Sequence, residues 1–455
     1  MAKSRVQKRK VVVNALDQIN PNAAGIDIGA EEIYVAVPPD RDEESVRCFG
    51  VFTEDLERLA DWLKACRVET VAMEATGVYW VPLYEILEKC GIRVFLVNAR
   101  HLKNVSGRKT DVLDCQWLQQ LHTYGLLQAS FRPPEQIVAI RSLVRHREML
   151  VQYRSAHVQH MQKALILMNL RLSNVLSDIT GVTGMAILRA ILAGERDPHK
   201  LAEFRDKRCA KSEEEIVKSL QGHYRPEQLF VLKQAVELFD YYAAQIQACD
   251  GALETLYCQF DPPENPGTPP PAPRSTARRK NQAHFDLAPA LYRMTGVDLT
   301  PIDGVDALTI QKVLSEIGTN MSPWPTVKHF TSWLHLCPNN RITGGKVKQT
   351  GVQPTKNRAT IALRIAATSL KNSDSALGAF FRRIRSRHGT PVAVTATAHK
   401  LARVIYFMLK EHKPYQDVGA LSYEQAYHQR MVRNLHRQAT KLGYRLEPAT
   451  VMASA

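Results

Sequence analysis

The chain has 455 residues, enough for about two to four domains, and its 45% hydrophobic and 23% charged residues are ordinary globular composition. Sixty Lys and Arg against 45 Asp and Glu leave a net charge of +15, which points to a polyanionic partner, most often nucleic acid or an anionic membrane surface. No run approaches about 18 uninterrupted apolar residues, so no membrane-spanning helix is expected; the apolar run at 11–13 is too short for a signal-peptide core; and the eight scattered cysteines, with no CxxC spacing, argue against a zinc ribbon or a disulfide scaffold and fit buried thiols in a reducing cytoplasm.

Residues 1–20 are basic without a clear period and read as a flexible arm. Residues 21–134 alternate strands with helices. GIDIGAEEIYVAV (25–37) reads as a strand, a tight Gly turn and a second strand. LERLADWLKAC (56–66) is an amphipathic helix, and VETVAME (68–74) is an apolar strand ending in an acid. VPLYEILEKCG (81–91) is a helix closed by Gly91, and IRVFLVN (92–98) is the next strand. Helices between apolar strands predict an α/β domain with parallel strand pairs.

Residues 135–260 are helical in period. One pattern runs from Glu135 to about Leu176 with Arg and His on its polar face, and a second covers 226–260, so a coiled-coil-like or hairpin arm is expected. The Pro-rich, basic segment 261–282 reads as an exposed linker and the clearest domain boundary. Residues 283–415 are predicted to be an all-α C-terminal domain with a Gly- and Lys-rich loop at 338–358, and 416–455 a basic tail, helical in part.

Four acids stand out in the first domain. Asp27 lies on the first strand and Glu74 ends a later one. Asp111 and Asp114 are three apart at a helix start, a spacing that puts both on one face. Alone, each has a plainer reading: a turn or cap for Asp27, an N-cap for Asp111, an exposed helical acid for Asp114. Together they are harder to dismiss, because carboxylates at the ends of apolar strands need a compensating cation. Two Mg²⁺ ions held by shared carboxylates are the known solution in phosphodiester chemistry. Arg108 and Lys109 beside them suit a phosphate backbone.

The C-terminal region carries a second constellation. The turn and helix at 297–318 have the form of half a helix-hairpin-helix unit, which offers backbone N–H groups to phosphates. In FTSWLHLCPNNRITGGKVKQTGVQPTKNRATIALRIAATSL (330–370), Gly344 and Gly345 allow close backbone approach, while Lys346, Lys348, Lys356, Arg358 and Arg364 make the surroundings cationic.

GIDIG with its second strand, MEATGVYW and KTDVLD together resemble the DEDD transposases of bacterial insertion sequences, whose N-terminal domain is similar to RuvC-type junction resolvases, a ribonuclease H-like fold. The segment from Leu336 through the Gly-rich stretch is similar to that family's second signature, in which a Ser before Gly is the nucleophile; here the matching position is Thr343. The resemblance covers about 24–130 and 283–410. It implies Mg²⁺ or Mn²⁺ on Asp27, Glu74, Asp111 and Asp114, and a hydroxyl nucleophile at Thr343. It implies DNA target and donor sites, a structured guide RNA, and a homodimer or tetramer, working in the cytoplasm on the nucleoid and on no membrane. Because a long helical arm separates the acids from the hydroxyl, a site composed from two subunits is sterically reasonable, and whether it is shared stays open. Threonine departs from the pattern because its β-methyl crowds in-line attack and restricts χ1. A working nucleophile, a decayed copy, and a domain that binds without strand transfer all stay open. So do three other functions: a RuvC-like nuclease that uses water, an actin-like ATPase or sugar kinase suggested by GIDIG alone, and a non-catalytic nucleic-acid-binding protein.

Overall fold

A computed structural model of the chain describes residues 17–75, 77–98, 111–261, 269–270 and 280–447, with the side chains of Asp111, Arg341 and Gln349 left outside the description. Residues 1–16 of the expected arm and most of the Pro-rich segment therefore lie outside the described residues. The chain divides into two compact units, Met1–Arg132 and Pro133–Ala455.

The first unit is a mixed α/β structure. Its strands are β1 (Ala23–Ile28), β2 (Ile33–Ala36), β3 (Val46–Phe49), β4 (Thr70–Glu74) and β5 (Arg93–Val97), and they form one sheet in the order β3-β2-β1-β4-β5. β1–β2 and β2–β3 are antiparallel, whereas β1–β4 and β4–β5 are parallel. Side chains alternate across the sheet. Ala24, Ile26, Val71 and Met73 point to one face, where Leu59 and Leu63 of α1 (Thr53–Ala65) and Leu83 and Leu87 of α2 (Trp80–Lys89) complete a dry core. Gly91, at φ 78°, ends α2 where the sequence predicts it. The opposite face carries α3 (Asp111–Thr123).

The second unit is almost wholly helical. α4 (Glu135–Leu167) and a later helix of equal length, Pro226–Cys258, each have 33 residues, or roughly 50 Å of helix. α4 stops short of the expected 176 because Asn169 turns left-handed, at φ 58°. Four shorter helices follow: α5 (Leu172–Val175), α6 (Val182–Leu192), α7 (Pro198–Ala202) and α8 (Glu213–Ser219). They close a separate core around Leu165, Leu188, Ile216 and Leu232. The second long helix is α9 (Pro226–Cys258), and it runs antiparallel to α4. Tyr153 meets Tyr242, and His157 stacks on Tyr242 with centroids 5.5 Å apart. Further along, Arg147 of α4 clasps Asp250 of α9 at 2.5 and 3.2 Å. Asp250, 1% exposed, also takes the His284 ring Nδ1 at 2.8 Å and its backbone N–H at 3.2 Å. The chain that returns after the Pro-rich segment is thereby tied to both long helices. The division into units falls at Arg132–Pro133, and both flanks of the Pro-rich segment belong to one unit.

The chain continues with α10 (Leu287–Thr295), α11 (Ala307–Ile317) and α12 (Val327–Trp333). A hairpin comes next, β6 (Arg341–Thr343) and β7 (Lys346–Gln349), then α13 (Arg358–Ser369), α14 (Ala376–His388), α15 (Thr390–Glu411) and α16 (Ala420–Lys441). One expectation needs correction here: the predicted loop contains a hairpin. Among the described residues one helix, α15, is long and apolar enough to cross a membrane by length and composition alone. Half of its apolar window is buried, and Tyr406 on it donates from its hydroxyl to the Trp324 carbonyl at 2.9 Å. The basic helix α16 has no buried residue; Arg383 of α14 lies over its Tyr427 ring at 3.9 Å. The cysteines are all free thiols, but Cys48 and Cys258 are exposed, so only some of them are the buried small hydrophobes expected.

Candidate active site

Gly25 decides how α3 meets the sheet. A Cβ there would sit 2.2 Å from the Cys115 carbonyl oxygen and 2.3 Å from the Gln119 backbone nitrogen. The helix therefore rests directly on β1, and Gln119 Nε2 donates to the Ala23 carbonyl at 3.4 Å. Because Gln119 lies at the start of β1 and Cys115 lies over Gly25, the first turns of α3 point toward the C-terminal end of that strand. Asp27, two residues beyond Gly25, faces the same side.

The parallel register brings in the second acid. Gly25 pairs with Ala72 and Ile26 with Met73, so one further step sets Asp27 beside Glu74 on the same face at the strand ends. Both are half-buried. Asp114, also half-buried, lies on α3 next to Cys115. The buried Cys115 thiol is pushed up to about 12, first by burial and then by the negative charges of Asp27 and Asp114. One thiol thus senses an acid from the strand and an acid from the helix. Asp111 opens α3, its side chain outside the description, and Arg108 and Lys109 lie wholly outside the described residues. Among the described side chains no three His, Cys, Asp or Glu groups converge as a ligand cluster. The donor set of the four acids is oxygen only, which suits a hard divalent cation.

Sequence reasoning missed two neighbours. Tyr34 pairs across from Asp27 in the β1–β2 register and so shares its face. Its hydroxyl donates to Glu32 at 2.9 Å, and this bond, with Cys48 beside it, raises the phenol to about 12. The β1–β2 alternation carries that signal, since the facing residue can be counted once the Gly turn is fixed.

The second is His122, which locks the far end of α3. Thr70 Oγ1 donates to the Arg93 carbonyl at 3.0 Å and so accepts from His122 Nε2 at 2.9 Å. His122 Nδ1 is buried with no hydrogen-bond partner among the described residues. A proton there would have no acceptor, and burial, followed by the Arg93 charge, lowers the imidazole to about 4. The sign follows: unfolded chain takes up a proton near 6.5 that the fold refuses until about 4. Stability should therefore fall as pH drops through that window, by up to about 3 kcal/mol from this group. Urea unfolding at pH 7 and pH 4.5 checks it. His122→Gln should lose correspondingly less on acidification, and an equal loss would remove His122 as the cause.

In the second unit, Gly344 and Gly345 have φ of 57° and 74°, left-handed at both positions, as a two-residue type I′ hairpin turn demands. Added Cβ atoms would meet nothing, so backbone conformation alone calls for glycine. Thr343 pairs with Lys346. By alternation Thr343, Lys346 and Lys348 share one exposed face of the hairpin, while Ile342 and Val347 share the other. Lys356 is exposed. Arg358 is bound to an acid, its guanidinium 2.7 Å from Glu148 of α4. Arg364 is half-buried, and its Nε has no hydrogen-bond partner among the described residues. In the turn before α11, a Cβ on Gly304 would sit 2.8 Å from Leu370 and 2.9 Å from Ser369, so packing against the end of α13 accounts for that glycine.

Comparison with known proteins finds two family models. A family model described as a DEDD transposase of the IS110 type matches residues 24–169, which include all four acids. A second model, described as transposase of the IS116/IS110/IS902 family, matches 298–381, from the turn before α11 through Thr343 and the cationic residues to α14. No curated protein matches the chain. The two matches together span about half of the sequence and meet the two constellations separately, and the chain belongs to the IS110 family of DEDD transposases of insertion sequences.

Proposed function

We propose that the protein is a site-specific recombinase that moves its element by cutting and rejoining DNA, with Asp27, Glu74, Asp111 and Asp114 holding Mg²⁺ or Mn²⁺ and Thr343 as nucleophile. The observation that carries this reading is the parallel β1–β4 register, whose last pair, Ile26 with Met73, leaves Asp27 and Glu74 next at the ends of adjacent strands, under a helix whose first turns bear the other two acids. The strand order β3-β2-β1-β4-β5 supports a ribonuclease H-like, RuvC-like domain, and the antiparallel pair α4–α9 supports a helical arm. A bound divalent cation would polarise the scissile phosphate and stabilise charge on its oxygens.

The protein's own groups do the rest. Thr343 Oγ forms a bond to phosphorus as the bond from phosphorus to the departing deoxyribose oxygen breaks. The hydroxyl proton leaves Oγ, and a proton is taken up by the departing oxygen. Lys346 and Lys348, on the same hairpin face as Thr343, neutralise charge on the non-bridging oxygens. The result is a covalent protein–DNA ester that a second DNA end resolves. A guide RNA choosing the sites, and a dimer or tetramer in which one subunit's acids meet another's hydroxyl, complete the proposal and fit the net charge of +15.

Thr343→Ala tests the covalent step. Strand cleavage and the covalent adduct, followed on a labelled duplex, should both fall by about three orders of magnitude or more. Thr343→Ser should raise them. Cleavage unchanged in Thr343→Ala would leave a nuclease that uses water.

A further inference from the structure

Between α4, α11 and α13 lies a groove of about 640 Å³. Four of its cations are Arg145, Lys312, Lys356 and Arg358, and the acids among its described lining residues are Glu148 and Glu316. The two acids are held in different ways. Glu316, 9% exposed at the side chain, takes a two-pronged clasp from Arg145 at 2.9 and 2.7 Å, with Arg141 at 3.8 Å; all three residues join α4 to α11. Glu148 bridges. One of its oxygens takes Lys312 of α11 at 2.7 Å, and the other takes Arg358 of α13 at 2.7 Å. It is about a quarter exposed, and its two cations are 41% and 46% exposed.

A carboxylate that gives one oxygen to each of two cations on facing helices has the shape and charge of a phosphodiester clamped by its two non-bridging oxygens. Lys356 stands on the same groove, exposed and without an ion pair among those the structure records. After both acids are matched, the groove keeps a surplus of positive charge. Ile361 and Ile365 of α13, 43% and 64% exposed, offer an apolar strip that a deoxyribose face could cover.

We propose that this groove binds the backbone of duplex DNA, and that Glu148 is an internal stand-in for one phosphate, which incoming DNA displaces from Lys312 and Arg358. The inference rests on the reading of the protein as an enzyme acting on DNA. The exchange swaps one anion for another between the same two cations, and the freed Glu148 carboxylate takes up a cation, so the net release of counterions is small. Glu148 therefore weakens binding and flattens its salt dependence at this site.

The test is fluorescence anisotropy with the full-length protein and a labelled duplex of about 30 base pairs, in chelator to prevent cleavage, over a range of salt concentrations. Glu148→Gln keeps the size and removes the charge. It should tighten binding by about five- to tenfold and steepen the salt slope by about one. Lys356→Ala, at an exposed position, should weaken binding several-fold and reduce the slope. If Glu148→Gln, folded by circular dichroism, binds no more tightly than the wild type, the stand-in role is overturned. If it does not fold, Lys356→Ala decides, and unchanged binding in that variant overturns the groove. Wild-type protein with no affinity for duplex DNA would overturn the functional reading as well.

Discussion

Asp27→Asn is expected to abolish divalent-metal-dependent DNA breakage, by about three orders of magnitude or more, with melting temperature and DNA affinity near those of the wild type. Asparagine matches aspartate in size, so the half-buried site beneath α3 stays filled. It lacks the negative charge that would hold a hard divalent cation there. Glu74→Gln, beside Asp27 where the β1–β4 register continues past Ile26 and Met73, should give the same loss. On the proposed reading DNA affinity comes from cations elsewhere in the chain, so binding and breakage should separate in both variants. Breakage retained in either one would remove the metal role from the pair, and binding lost along with breakage would point to a disturbed fold.

Gly25→Ala should be damaging for a different reason. Its Cβ would meet backbone atoms of α3 at 2.2 and 2.3 Å, and neither a carbonyl oxygen nor an amide nitrogen can rotate aside. The helix has to lift from β1, which carries Asp111 and Asp114 away from Asp27 and strains the bond of His122 to Thr70. We expect a loss of about 3 kcal/mol, at the upper end of overpacking costs, together with loss of breakage. Denaturant unfolding checks the first and a cleavage assay the second. A stable, active Gly25→Ala would mean that α3 can be shifted without consequence for the acids. The two variants are complementary, since one removes a ligand within an intact frame and the other moves the frame.

Much of the first unit is legible in the sequence because its signals are local. Apolar runs at 68–74 and 92–98 mark the parallel strands β4 and β5, and Leu59, Leu63, Leu83 and Leu87 recur at helical spacing. An acid closing an apolar strand is conspicuous, which singles out Asp27 and Glu74. β3 escapes a reading of the sequence, because its four residues are edge residues, none fully buried. The β6–β7 hairpin does carry a signal, two glycines between alternating residues. Both its faces are exposed, however, and the neighbouring Pro, Asn and Lys residues suggest a loop. The pairs that fix the second unit have no local trace. Arg147 and Asp250 are 103 residues apart, and Arg358 and Glu148 are 210 apart. Such partners are chosen by helix packing, which composition and period do not encode. For the same reason Arg358 reads as a free cation in the sequence, and only the fold sets Glu148 beside it.

The knot of Arg147, Asp250 and His284 alters the meaning of the Pro-rich stretch. The chain leaves the second long helix at Cys258 and is fastened again at His284 to a residue only eight positions back along that helix, roughly 12 Å of axial rise. More than twenty residues cover that short gap. Three side chains fix the spacing between the long helices and the bundle that begins at Leu287. Those side chains, and not the length of chain between them, therefore set the spacing, so evolution can lengthen or trim that stretch without resetting the machinery on either side.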